Sequence, residues 1–205
     1  MKHDGTAALL AYWNRIRGKR PAPERSEIEP GAIARQLPDI FILEQPETEP
    51  ARFRLAGTRL CANHGGELKN SSFLSLWAEE DRDGVEHILQ MVAGSKRAAV
   101  IDIEAKSLSG RSASFEMLLL PLANGKLIGS MIALEHAYWL GADRIIENSV
   151  RAIRMIDPRR AELQVTLKAA ACAGASAYFP APPRFASPAP SRQIRHLTVL
   201  KGGKG

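Results

Sequence analysis

The sequence predicts an α+β fold: a five-stranded antiparallel sheet with helices on one face, and flanking helices at its N- and C-terminal ends. Three observations carry this. From Arg97 the chain runs AAVIDIEAKSL, RSASFEMLLLPL and KLIGSMIALEH, three strand-like runs joined by LSGR and by an Asn-Gly turn, which is an antiparallel meander. Two shorter runs, Asp39 to Glu44 and ARFRLAGT, come earlier in the chain. Between these groups lies a stretch with helical spacing, so the order is two strands, helices, three strands, with the helices closing one side of the sheet.

Each element has a local reason. In TAALLAYWNRIR, Leu9, Leu10, Trp13 and Ile16 form one helical stripe, with Thr6 as N-cap and Gly18 as stop. The connector KRPAPERSEIEPG is too rich in proline and charge for a core element. Ala32 to Leu37 make a helical turn that Pro38 ends, and the β-branched and aromatic run to Glu44 is the first strand. In the second, Phe53, Leu55 and Gly57 alternate with Arg52, Arg54 and Ala56. Residues 58–76 mix short apolar groups with Gly65, Gly66 and Ser71–Ser72 and fit short helical turns. Val85, Ile88, Leu89 and Val92 then mark the clearest helix of the middle region, stopped near Gly94. Beyond YWLG, residues 143–156 place Ile145, Ile146, Val150, Ile153 and Ile156 along one side of an expected basic amphipathic helix.

Composition narrows the function classes. The 205 residues, 45% of them hydrophobic, suit one domain with appendages. Residues 1–142 carry 17 Lys/Arg against 18 Asp/Glu and residues 143–205 carry 11 against 4, so the net charge of +6 belongs to the C-terminal third. A basic pI therefore says little about nucleic-acid binding by the folded part. Cys61 and Cys172 do not resemble a disulfide framework, and the opening MKHDGTAALLAYWNRIRG reads as neither a signal peptide nor a membrane span, so a cytoplasmic protein is expected.

Several stretches together resemble a known family: LLAYWNRIRGKRPAPERSEIEP, LPDIFILE, FRLAGTRL followed by GGELKNSSFLSLWAEEDR, FEMLLLPL and YWLG. They are similar to a small bacterial PAS-fold family, formerly catalogued as a domain of unknown function, whose members consist largely of one PAS domain. The resemblance covers roughly Leu9 to Gly141 and departs at Gly66, where family members often carry a basic residue. It implies a non-enzymatic sensory or regulatory module in bacterial signal transduction, acting through a small ligand between helices and sheet, through docking to signalling proteins, or both. No particular cofactor is implied. The expected organisation is an N-terminal helix and connector over 1–30, a PAS domain over 31–141, a basic amphipathic and Ala-rich helical segment over 142–175, and a Pro-rich tail over 176–205.

The chemistry-bearing residues give few alternatives. Cys61 and His64 stand at i, i+3 and suit half a zinc site, but no CxxC or HxxxH supplies the other half, and a catalytic thiol needs an orienting partner that the sequence does not offer. His87 lies at the flank of the buried stripe and reads as a surface histidine rather than a haem ligand. Glu79, Glu80, Asp81 and Asp83 are accounted for by the positive end of the helix they begin. No Walker loop, dinucleotide fingerprint or nucleophile elbow is present. Leu55, Cys61, Phe73, Trp77, Ile88 and Val92 are the expected wall of a ligand cavity, and Leu9, Leu10, Trp13 and Ile16 the expected homodimer surface. The competing classes are a small-molecule enzyme, for which the strands offer mainly Arg54, Glu104 and Glu116, and a DNA-associated regulator using the basic tail.

Overall fold

The computed structural model describes residues 1–44 and 49–157. Helix α1 (Asp4–Arg17) is followed by short 3-10 turns and then by β1 (Ile40–Glu44), β2 (Arg52–Ala56), α2 (Thr58–Asn63) and α3 (Arg82–Ser95). Strands β3 (Ala98–Ser107), β4 (Ser112–Pro121), β5 (Leu127–Ala133) and β6 (Ile145–Ile156) complete the domain. All pairings are antiparallel, and the sheet order is β2-β1-β5-β4-β3-β6. The meander is as the sequence predicts, with Asn124 and Gly125 both at positive φ in the turn before β5. Among the described residues no helix is long and apolar enough to cross a membrane.

The sheet has six strands rather than five, because residues 145–156 form a strand and not a helix. Ile145, Ile146, Val150, Ile153 and Ile156 are all β-branched, which disfavours helix and suits a pleated surface. Their spacing fits a helical stripe, but the open edge of β3 decides the outcome by pairing along its length from Ala98↔Ile156 to Ser107↔Ile145. The rest of the expected helical segment, from 158 to 175, and the tail to 205 lie outside the described residues.

Helices occupy both faces. On the inner face, α3 buries Val85, Ile88, Leu89 and Val92 against the sheet, in one core with Phe41, Phe53 and Met117. On the outer face α1 lays Leu9, Leu10 and Trp13 on Ile40, Val100, Leu118 and Leu120. The Trp13 indole N–H donates to the Pro121 carbonyl at 2.9 Å. Each of these side chains gains about 2–3 kcal/mol by leaving water. The stripe expected to form a dimer is thus covered by its own sheet: Leu9, Leu10 and Trp13 are buried and Ile16 packs beside them. The sheet's outer face is apolar along β4, and it captures the stripe within the chain. The cap of α1 also differs from expectation, since the His3 ring accepts from the Gly5 N–H while Thr6 is fully buried; Gly18 does end the helix, at φ 57°.

The start of α1 is fastened to the sheet by charge. Glu116 of β4, fully buried, accepts the backbone N–H groups of Lys2 at 2.7 Å and His3 at 3.1 Å, and Arg154 of β6 reaches the same carboxylate at 3.4 Å. Asp102 of β3 joins Lys2 and Arg154 at 2.9 and 3.1 Å. Although burial pushes the Asp102 carboxyl up, these two cations outweigh it and hold the group below its ordinary value.

Candidate functional site

The region between sheet and helices is built from motif segments whose backbones interlock. Phe53 of β2 exchanges backbone bonds with the strip after α2, Phe53 N–H to Ser71 O and Asn70 N–H to Phe53 O, and Phe73 N–H donates to Ala51 O. These bonds bring Phe53 and Phe73 onto Phe41 of β1, with ring centroids 5.4–5.9 Å apart, and Trp77 follows at 5.8 Å from Phe73. Such edge and tilted contacts stabilise beyond the area they bury. Leu60, Leu76, Met117 and Met131 complete the seam around these rings, which as packed has no room for a water molecule.

Two buried polar atoms at this seam lack hydrogen-bond partners: the indole Nε1 of Trp77 and the side-chain Oδ1 of Asn148. Trp77 is 2% exposed and Asn148 1%. A buried polar atom without a partner costs about 1–3 kcal/mol. The rest of Asn148 is fixed. Its Nδ2 donates to the Leu76 carbonyl at 2.8 Å and stands 3.3 Å from Nε2 of His64, while Nδ1 of His64 lies 3.0 Å from the Leu60 carbonyl. The carbonyl can only accept, so Nδ1 carries the proton and Nε2 accepts from Asn148. A backbone bond, Ala78 N–H to Asn148 O, and a side-chain bond, Val150 N–H to the Asp81 carboxylate, set this asparagine beside Trp77.

Burial pushes the His64 pKa below its ordinary value, against a smaller opposing effect of the Leu60 carbonyl. A protonated Nε2 would also point a hydrogen at the donor Nδ2 of Asn148. The sign of the pH effect follows. Above about pH 6.5 His64 is neutral in both folded and unfolded chains and adds no pH dependence; below it the unfolded chain takes up a proton that the folded one resists, so stability falls. Denaturant midpoints at about pH 7.5 and 5.5 measure this, and the His64→Gln variant is expected to lose the part of the slope due to the imidazole.

The six residues expected to wall a cavity fall in different places. Phe73 and Trp77 meet at the seam. Ile88 and Val92 belong to the same core but lie away from the seam lining. Cys61 is half-buried at the edge of that core, its Sγ near the Ala56 carbonyl and the Glu67 carboxylate, while the His64 ring bonds elsewhere. Leu55 is on the other face. A bulge between Ile42 and Leu43 inserts Arg54 into the register, so that Phe53 opposes Leu43 on the inner side while Leu55 opposes Ile42 on the outer side. Leu55 is consequently 40% exposed and lines an outer groove of about 300 Å³ with Ile28, Leu37 and Ile128. His87 is exposed on α3. The sequence does not mark Asn148 as a site residue, because it lies in the segment that reads as a helix; an asparagine within a β-branched run is its available signal.

The PAS domain family matches residues 1–132. The chain belongs to the PAS domain family. In this PAS chain the match takes in α1 as well as the sheet as far as β5, and Asn148 and β6 lie beyond it. No curated protein matches the sequence. Among solved structures the chain is similar to an RNA-binding Light-Oxygen-Voltage receptor, at 17% identity and a TM-score of 0.40, covering 65% of this chain and 33% of that one. The chain therefore spans about a third of the receptor's length.

Proposed function

We propose that this PAS domain is a sensory module that takes a small neutral molecule into the seam between sheet and helices and reports its occupancy to partner proteins. The observation that carries the reading is the pair of unpartnered buried atoms, the Trp77 donor and the Asn148 acceptor, beside one aromatic cluster. A ligand with one acceptor, one N–H or O–H donor and a flat apolar body satisfies both atoms and stacks on Phe73. Charge is disfavoured, since the seam lining includes no ionised side chain to compensate it. The seam is closed as packed, and Met117 and Met131 are the residues suited to giving way, because unbranched thioether side chains repack at little cost. The reading is sensing rather than catalysis: the titratable group bonded to the site, His64, is held neutral and serves to orient Asn148.

The Trp77→Phe variant tests it. Loss of ring volume and relief of the unpartnered N–H oppose each other, each on the order of 1–3 kcal/mol, so the thermal midpoint is expected to stay within several degrees of the parent. Binding of a small aromatic amide is expected to fall by about tenfold or more. A midpoint drop matching the about 3–5 kcal/mol of a large aromatic truncation in a fully satisfied core, with ligand binding unchanged, would show that Trp77 is core alone.

A further inference from the structure

A second concavity, of about 660 Å³, shares no lining residue with the interior seam. Four segments meet there: the start of α1, the turn from Arg35 to Asp39, the outer side of α2, and the end of β5 with the residues that follow. Its making requires close backbone approach, with Gly57 N–H donating to Ile40 O at 2.7 Å and Arg59 pairing with Asp39 at 2.7 Å. The volume is that of a small-molecule site rather than a packing defect.

Two polar side chains of this cleft are held by nearly buried residues yet keep polar atoms open to it. Asn63 and Asp39 are each 4% exposed. The Asn63 carboxamide has no hydrogen-bond partner among the described residues, and Asp39 gives one oxygen to Arg59 while the other has no partner. Neither group is sealed from solvent, so each presents a free polar atom to the cleft. Burial pushes the Asp39 carboxyl up against the opposing effects of Arg59 and, more weakly, of His3. The rim carries one further charge of each sign: Arg35 and Asp4 are exposed and without a salt-bridge partner among the described residues. The floor is apolar, formed by Ala8, Ile132 and Leu140.

We propose that this cleft binds a zwitterionic amino acid or dipeptide with an apolar side chain. Its carboxylate goes to Arg35 and the Asn63 amide, its ammonium to the free oxygen of Asp39, and its side chain to Ile132 and Leu140. Balanced charge is what selects this class: a phosphorylated ligand would bring two negative charges toward Asp4 and Asp39, whereas a zwitterion answers both signs.

Calorimetric titration of the full chain with L-phenylalanine and with L-leucyl-L-phenylalanine tests the proposal and distinguishes the two sources. Saturable binding of at least one is expected, with Kd below about 1 mM. N-acetylation or methyl esterification, each removing one charge, is expected to weaken it about tenfold or more, as is Arg35→Gln at an exposed position that the fold does not need. Trp77→Phe is expected to leave it unchanged, which separates this cleft from the interior seam. Absence of binding by both compounds, equal binding of the capped forms, indifference to Arg35→Gln, or preferential binding of GMP would each overturn the proposal.

Discussion

Replacing Gly57 with alanine is expected to cost about 3 kcal/mol and to lower the thermal midpoint by roughly 10 °C, large for the addition of one methyl group. A Cβ at this position would stand 2.4 Å from the Leu37 carbonyl oxygen and 2.3 Å from that of Pro38, and neither is the flexible end of a side chain. The backbone of Gly57 is itself ordinary, at φ −70°, so the cost is steric and not conformational. Relief would have to come from parting the Leu37–Asp39 turn from α2, which also pulls Arg59 from Asp39. A midpoint within about a degree of the parent would mean that the two segments are not in contact as described.

Removing the carboxylate of Glu116 is the second large effect. Glu116→Ala leaves two backbone N–H groups and one face of Arg154 without their buried acceptor, and is expected to cost about 3 kcal/mol. The loss is local in kind. Hydrogen exchange is expected to speed most along Asp4–Arg17, since Glu116 fastens the beginning of α1, while α3 on the other face keeps its protection. Glu116→Gln retains one acceptor oxygen and is expected to fall between the two. Uniform loss of protection in both helices would indicate that Glu116 supports the whole fold rather than α1, and unchanged protection along α1 that its apolar stripe alone holds it.

Periodicity along the chain is sufficient for some elements of this fold and not for others. The meander was legible because tight turns and alternation act locally, as the Asn124–Gly125 turn illustrates. Residues 145–156 were not, because their apolar spacing satisfies helix and strand alike and the free edge of β3, a long-range partner, makes the choice. Leu55 was misplaced by one face for a related reason: a bulge belongs to a pair of strands, and alternation in one strand cannot reveal it. The stripe of α1 reads as a face that needs a partner, and within the chain its own sheet covers it, a choice that the sequence of the helix does not show. At the candidate site, Phe73 and Trp77 stand out in the sequence as large apolar groups of the helical middle, and both line the seam. The Asn148–His64 bond joins residues 84 positions apart and leaves no local trace.

In the proposed sensory role, the Trp77 N–H and the Asn148 side-chain oxygen receive the ligand. Two-dimensional amide and indole spectra recorded while benzamide is added test it most directly, because its carbonyl and N–H suit one atom each. The indole signal of Trp77 and the backbone amides around Phe73 and Asn148 are expected to shift together and saturably, while the Trp13 indole, already bonded to Pro121, stays in place. A Trp77 signal that does not move, or that moves only with Trp13, would contradict the claim that this PAS interior receives a small molecule.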